Sequence, residues 1–309
     1  MKSPSNSNKD EKVKLPWEAE LEVQDLIKPI TVRRIWLLQT VGLVLMVLAV
    51  GIFAWWLFVK PPSGKTLVKE MIVAAGGMQE WKNIQDGSFV RTHRMYDENG
   101  KIIKESEETF FFKNNPDGRQ LLIKSITNQK DEVYVGHDDG GYWALFNDVE
   151  VNPVTLAKEM EFMCDSEFCS PLCASEMALY RMSFPFKLAD DGVIPRNAGT
   201  ATINGEKAIL LDVTFDPKVG RDRWVFYVDP STKLIRKIEH YPSLKENVQP
   251  EEIYLSDFKQ AGPIMLSHSN KYYRSNGKIL EEYLISDVNF NSSLTSDFFD
   301  RPRNLSLAK

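Results

Sequence analysis

The chain has 309 residues, of which 38 are Lys or Arg and 43 are Asp or Glu, so its formal net charge at pH 7 is −5. A slightly acidic chain without a basic stripe or a nucleic-acid-binding motif excludes nucleic acid as the expected partner. The length is sufficient for one domain with a sizeable core besides any N-terminal segment.

An apolar segment near the N-terminus, residues 35–59, runs for twenty-five positions without a charged side chain. A helix of that length is roughly 37 Å long, which is enough to cross a hydrocarbon core of about 30 Å with some tilt. Trp36, Trp55 and Trp56 lie near its ends, where indole rings favour the membrane interface. A cleaved signal peptide has an apolar core of only about 7–15 residues. The segment is therefore predicted to be an uncleaved transmembrane helix.

The charges that flank this segment predict its orientation. Arg33 and Arg34 precede it directly and residues 1–15 add four lysines, whereas a long folded domain can be translocated whatever its charge. We therefore predict a cytoplasmic N-terminal tail, residues 1–34, and an extracytoplasmic C-terminal domain. Residues 1–15 are polar and are predicted to be disordered. A short amphipathic helix and a solvated segment are both compatible with residues 16–30.

After a Pro- and Gly-containing linker, residues 60–66, the pattern of residues 67–309 is typical of a mainly β domain. A helix is predicted at 67–75, because Gly76 and Gly77 follow it. Strands are predicted at 87–96, 101–113, 119–127, 132–137, 142–146, 200–203, 208–215, 223–228, 234–241, 252–258, 265–274 and 278–290. Asn-Gly pairs at 99–100 and 276–277 are typical of hairpin turns. Sequential hairpins of this number predict one large antiparallel sheet that curls to protect its edges.

The strand pattern is interrupted by residues 153–187, where apolar positions follow helical spacing. This helical insert carries Met160, Met163, Met177 and Met182. Methionine adapts to irregular apolar partners, so a lid over a ligand and ordinary core packing are both open interpretations.

All three cysteines, Cys164, Cys169 and Cys173, lie in the insert. In an oxidising compartment, one disulfide and one free thiol are predicted, and the spacing does not choose among the three pairings. A zinc site is the alternative, and it would need a fourth ligand from elsewhere in the chain.

Catalytic motifs are missing: the sequence has no G-x-S-x-G, H-E-x-x-H, G-x-x-x-x-G-K-[ST] or G-x-G-x-x-G pattern. Residues 136–141 (GHDDGG) place acids beside His137, which the turn preference of Asp and Gly explains better than a metal site does. Acidic residues within the predicted strands alternate with apolar ones and are predicted to face water; they are Glu105, Glu107, Glu108, Glu281 and Glu282. No catalytic residue, cofactor or metal is predicted, and the chain is not expected to be an enzyme.

Four segments together resemble the outer-membrane lipoprotein-sorting (LolA-like) superfamily. They are AAGG with WKNI at 74–84, DVTF with RWVFYVDP at 212–230, YLSDF at 254–258, and ISDVNFN with FFDRP at 285–302. The resemblance implies a half-open antiparallel β-barrel with helices packed in its concave face and a hydrophobic cavity for acyl chains. It also implies the bacterial inner membrane and a periplasmic domain. The chain departs from typical carriers, which are soluble or lipid-anchored, because it keeps a transmembrane helix and a tail.

The resulting prediction is a membrane-anchored protein that binds a lipid or the acyl chain of a lipoprotein. The predicted cavity-lining residues are apolar side chains from the strands and the insert: Phe110, Phe112, Leu122, Trp143, Phe146, Met160, Met163, Met177, Phe184, Leu211, Trp224 and Phe226. The alternative is a structural or regulatory subunit whose barrel is filled by its own side chains. Such a subunit would dock on a membrane-protein complex through residues 1–59.

Overall fold

The structure is a computed structural model that describes residues 34–54, 61–115, 118–126, 130–138, 141–153, 155–156, 179–242 and 249–300. The chain divides into two units, residues Met1–Pro61 and Pro62–Lys309. In the first unit, helix α1 spans Arg34–Ala54, has a mean hydropathy of 2.4 and is not buried within the protein. At 1.5 Å per residue it is roughly 32 Å long, so it can cross a membrane by length and composition. The tail and residues 55–59 lie outside the described residues.

The second unit begins with a helix, α2, at Gly64–Ala74. It starts three residues before the predicted start at residue 67, inside the predicted linker. The reason is a cap: the Ser63 side chain accepts a hydrogen bond from the backbone N–H of Thr66. Its buried positions include Leu67 and Met71, which are one helical turn apart. The helix ends at the predicted glycine, since Gly76 has a φ of +111°. A second short helix, α3, at Met78–Lys82 was not predicted.

The rest of this unit is a single sheet of thirteen antiparallel strands. Their bounds are β1 Asp86–Tyr96, β2 Ile102–Asn115, β3 Gly118–Ile126, β4 Glu132–Asp138, β5 Gly141–Phe146, β6 Val149–Val151, β7 Val193–Ile203, β8 Glu206–Phe215, β9 Arg223–Val228, β10 Ile235–Tyr241, β11 Glu251–Ala261, β12 Ile264–Tyr273 and β13 Ile279–Phe290. The predicted fold class is confirmed: the chain is mainly β, with one apolar N-terminal helix and few other helices. Strand β6 and the first half of β7 were not predicted.

The order of the strands across the sheet is β6-β5-β4-β3-β2-β1-β13-β12-β11-β10-β9-β8-β7. The first and last strands of the chain are therefore neighbours in the middle of the sheet, and β6 and β7 form its two edges. Residues 152–192, which contain the predicted insert, connect one edge to the other. In the described part of this connection, residues 179–182 are helical and Phe186–Ala189 form a 3₁₀ helix. Residues 157–178, with the three cysteines, Met160, Met163 and Met177, lie outside it.

One face of the sheet carries the main core, and we call it the inner face because α2 and residues 179–188 pack against it. Its cluster joins Leu67 and Met71 of α2 with Phe186 and Leu188. The sheet contributes alternate residues, such as Leu211 and Val213 of β8 and Trp224, Phe226 and Val228 of β9. This alternation is the period of a β-strand with one face in a core.

Part of the opposite face, the outer face, is also covered. A second cluster combines Leu122 of β3 with Trp143 and Leu145 of β5. It packs against Phe299, which lies in a 3₁₀ helix at Ser296–Phe299 and is fully buried. The segment before this helix is tied to the sheet by Lys113, whose Nζ donates to the Leu294 carbonyl at 2.5 Å. The C-terminal segment therefore protects the outer face of strands β2–β5 from water.

Candidate functional site

The inner face brings together half of the predicted lining residues. They belong to one cluster and are Phe110, Phe112, Phe184, Leu211, Trp224 and Phe226. Phe184 covers the aromatic residues of β9: its ring centroid is 5.5 Å from that of Trp224 and 5.1 Å from that of Phe226, in edge-to-face geometry. Residues 179–188 therefore form a cover over the apolar part of the inner face, and we call them the cover segment.

Leu122 and Trp143 do not lie on this face, and the prediction for these two residues is corrected. In β3, Leu121 and Ile123 belong to the inner cluster, so the alternating pattern points Leu122 outward. The Trp143 ring lies over Gly136 on the neighbouring strand, where an added Cβ would come within 2.3 Å of a ring atom. The face of these two residues was mispredicted because the outer face is also apolar here, where Phe299 of the C-terminal segment packs against it. Phe146 packs with a third cluster that contains Val133 and Leu156.

The apolar residues of the inner face are tightly enclosed. Phe110, Leu211 and Phe226 have an exposed fraction of 0%, and Trp224 of 1%. This packing comes from other side chains of the protein, such as Phe184, whose ring contacts those of Trp224 and Phe226. A ligand that reaches these residues must therefore displace part of the cover segment.

Next to the apolar part, the inner face is polar, and this change from apolar to polar residues occurs on two separate pairs of strands. On β1 and β2, Phe89 pairs with Phe110, and the next inward pair is Arg91 with Glu108. On β9 and β10, Phe226 pairs with Ile238, and the next pair is Trp224 with His240. We call the polar residues that are connected by mutual contacts on this face the polar row: Arg91, His93, Glu108, Arg181, Asp222, His240, Glu251, Tyr272, Glu281 and Tyr283. The inner face is thus amphipathic along the length of its strands.

An ion pair occupies one end of the polar row. Nε of Arg91 donates to Oε2 of Glu108 at 2.6 Å, and the guanidinium carbon lies 4.6 Å from the ring centroids of Phe110 and Tyr283. Burial raises the pKa of Tyr283 well above its ordinary value, and the nearby Glu281 carboxylate adds to the shift. The Tyr283 hydroxyl therefore stays protonated and donates to Oε2 of Glu281 at 2.9 Å. These partly or fully buried charges are paired, as stable burial of charge requires.

A histidine held between two carboxylates occupies the other end. The ring nitrogens of His240 lie 3.2 Å from Oδ2 of Asp222 and 3.2 Å from Oε2 of Glu251. Burial lowers the pKa of His240, but the hydrogen bonds to the two carboxylates outweigh burial and raise it above 6.5. The ring also stacks on Trp224 at 4.0 Å, and Nε1 of Trp224 donates to Asp222 at 2.6 Å. The protonated imidazole satisfies both carboxylates because both of its nitrogens are then donors.

The sequence-based interpretation missed the polar row, because it assigned Glu108 and Glu281 to solvated strand faces. The structure buries them, with exposed fractions of 3% and 5%. A signal was nevertheless present: a tight turn at Asn99-Gly100 places Arg91 opposite Glu108 in the hairpin. Glu282 is also buried, and it accepts a hydrogen bond from the Tyr96 hydroxyl at 3.0 Å. Within the described ranges, no group of three or more His, Cys, Asp and Glu side chains could hold a metal ion.

Comparison with known proteins gives a partial family match and remote structural similarities. A family model described as a family of unknown function (DUF6503) matches residues 148–248, which is less than half of the chain. No curated protein sequence matches the chain.

Similar solved structures include members of the superfamily that the sequence resembles. A LolA superfamily protein from Nitrosomonas europaea is 10% identical with a TM-score of 0.48, and the alignment covers 78% of this chain and 99% of that one. A DUF1329 family protein from Desulfovibrio piger is 13% identical with a TM-score of 0.47, covering 77% and 97%. The lipoprotein LppX from Mycobacterium tuberculosis is 14% identical with a TM-score of 0.30, covering 75% and 98%. At these identities nothing that those proteins bind is carried over to this chain.

Proposed function

We propose that the chain is a non-enzymatic, single-pass membrane protein whose second unit binds the acyl chain of a lipid or lipoprotein on its inner face. The observation that carries this proposal is the composition of the inner face. One continuous apolar cluster receives residues from α2, from the cover segment and from strands on both sides of the sheet centre, such as Phe110 and Phe226. The described segments that pack on this surface are α2 and the cover segment.

The energy of such binding comes from the transfer of apolar surface. Each buried CH₂ group contributes roughly 0.8 kcal/mol, so an acyl chain of about a dozen carbons can compete with the bilayer without a charged contact. The ligand replaces contacts that Phe184 makes with Trp224 and Phe226. Neither β6 nor β7 pairs with a second strand among those described, which leaves the sheet open where the cover segment runs.

The proposed location follows from the N-terminal segment. Helix α1 carries no charged side chain after Arg34, and Arg33 with Arg34 at its start favours a cytoplasmic N-terminus. We place the chain in a bacterial inner membrane with its second unit in the periplasm. Because that compartment is oxidising, we still predict that two of the three cysteines form a disulfide.

A second candidate function is favoured by one observation. Leu211 and Phe226 have no exposed surface, so the chain's own side chains fill this part of the inner face. A filled barrel is what the structural or regulatory subunit requires, with residues 1–59 as the contact to a membrane-protein complex. The two functions differ in whether an acyl-bearing molecule is bound.

Native mass spectrometry of the full chain, purified in a mild detergent from its own membrane, tests the proposal. We expect one acyl-bearing molecule per chain to remain after the detergent is removed in the gas phase. Phe184→Ala changes the cover segment and should alter the occupancy, whereas Phe298→Ala, at a residue on the outer face that is 41% exposed, should retain the wild-type occupancy. A wild-type chain that carries only detergent at every collision energy would favour the subunit instead.

A further inference from the structure

Arg181, in the cover segment, reaches the polar row, where one of its nitrogens is buried without a hydrogen-bond partner. Its Nη1 donates to the Tyr272 hydroxyl oxygen at 2.8 Å. Its Nη2 lies 3.6 Å from Oε2 of Glu251, which is too long for a hydrogen bond. Its Nε is buried and has no hydrogen-bond partner. Among the residues that the structure describes, Nε of Arg181 therefore has an N–H donor without an acceptor.

The other charged groups of the polar row have their partners. Arg91 is paired with Glu108 through two nitrogens, at 2.6 and 2.5 Å. Asp222 accepts hydrogen bonds from Trp224 and lies beside His240, and Glu251 also lies beside His240. Within the described ranges, the polar row therefore lacks an acceptor at Nε of Arg181. A cation or a group that only donates hydrogen bonds would leave Arg181 unsatisfied.

The position of Arg181 matches the boundary between polar and apolar surface. The guanidinium carbon lies 5.2 Å from the ring centroid of Tyr272, which belongs to the inner cluster and pairs with Ile253. Phe184, on the same segment, covers the apolar rings of β9. A molecule that displaces Phe184 with an apolar tail would thus place a polar end near Arg181.

We propose that Arg181, with Tyr272, binds the anionic head group of the acyl ligand, a carboxylate or a phosphate. This inference rests on the proposed function and adds the chemical class of the ligand. Carboxylate and phosphate oxygens accept two parallel N–H bonds from a guanidinium, and such charge-assisted bonds are about twice as strong as bonds between neutral groups. An anion there accepts a hydrogen bond from Nε and adds a second counter-charge to that of Glu251, whose Oε2 lies 3.6 Å from Nη2. The Tyr272 hydroxyl, which accepts from Arg181, has its own proton to donate to the same anion.

The test compares ligands that differ only in the head group. The full chain in a non-ionic detergent is titrated with a long-chain fatty acid, the alcohol of the same length and the corresponding alkyl phosphate, and Trp fluorescence reports binding. We expect the acid and the alkyl phosphate to bind at least about ten-fold more tightly than the alcohol. Arg181→Met should remove this preference while leaving the affinity for the alcohol unchanged. Tyr272→Phe should reduce the preference only a few-fold.

Two control variants make the result specific. Arg236→Met removes an arginine of similar exposure that pairs with Glu206 and Asp229 away from the polar row, and it should keep the full preference. Arg181→Lys keeps the charge but loses the planar donor geometry, and it should give an intermediate preference even where Arg181→Met fails to fold.

Each remaining outcome decides between the two proposals. Equal affinity of the wild type for acid and alcohol overturns the head-group site and leaves acyl binding intact. No binding of any of the three ligands overturns the proposed function itself. Inorganic phosphate that competes at the same concentration as the alkyl phosphate would assign the site to a free anion and also overturn the head-group site. Failure of inorganic phosphate to compete supports it.

Discussion

Phe226→Ala is expected to lower the free energy of unfolding of the second unit by about 3–5 kcal/mol, because a fully buried aromatic residue leaves a cavity when it is truncated. Phe226 has no exposed surface, and its ring packs against Phe184 at 5.1 Å and Trp224 at 6.2 Å between centroids. The loss therefore combines the transfer of the ring to water with the contacts that the cover segment loses.

Denaturant unfolding of the full chain in detergent, followed by circular dichroism of the sheet, measures this change. Phe298→Ala is the matched control: the same substitution at a residue that is 41% exposed should cost less than about 1 kcal/mol. Equal effects of the two substitutions would show that Phe226 is not enclosed as described. A small effect of Phe226→Ala alone would mean that this part of the inner face is an unfilled cavity.

Glu108→Ala is expected to cost a similar amount, about 3–5 kcal/mol, for an electrostatic reason. Glu108 is buried and neutralises Arg91, so its removal leaves an unpaired guanidinium between two aromatic rings. Replacing both partners, as Arg91→Met with Glu108→Ala, should recover much of the loss, since no charge is then buried.

The same hairpin offers a control for the ion pair. Arg94 and Glu105 pair across β1 and β2 in the same way, but their side chains are 32% and 48% exposed. Glu105→Ala should therefore cost less than about 1 kcal/mol. If Glu108→Ala is no worse than Glu105→Ala in the same unfolding experiment, the burial of the polar row is contradicted.

The sequence predicted those elements whose signal is local. Strand β9 was predicted with its observed bounds, Arg223–Val228, because Trp224, Phe226 and Val228 recur at every second position. The hairpin at Asn99-Gly100 was predicted from its turn residues. Strand β6 has three residues, and the first half of β7 contains Pro195 and few buried side chains. Both form sheet edges, where alternation is weak because no core fixes it.

The site was predicted less completely, because its faces are set by partners that are distant in sequence. Trp143 was assigned to the cavity lining, but it packs with Leu145 and Phe299 on the outer face. Glu108 resembles a solvated residue until Arg91 and Tyr283 are placed beside it. Arg181 was not singled out, since its partner Tyr272 is far along the chain. By contrast, alternation places Phe110, Leu211 and Phe226 on the apolar side of their strands, and the structure has them in one cluster. That they line a ligand cavity stays a prediction.

Photo-crosslinking tests the central claim, that the inner face binds an acyl chain, most directly. The full chain is reconstituted in vesicles that contain a phospholipid with a diazirine at the end of one acyl chain, and the adducts are mapped by mass spectrometry. The account predicts adducts on the inner face, at Phe184, Leu211, Trp224 or Phe226, in addition to those that the surrounding bilayer leaves on α1. Adducts confined to α1, with none on the inner face, would contradict it.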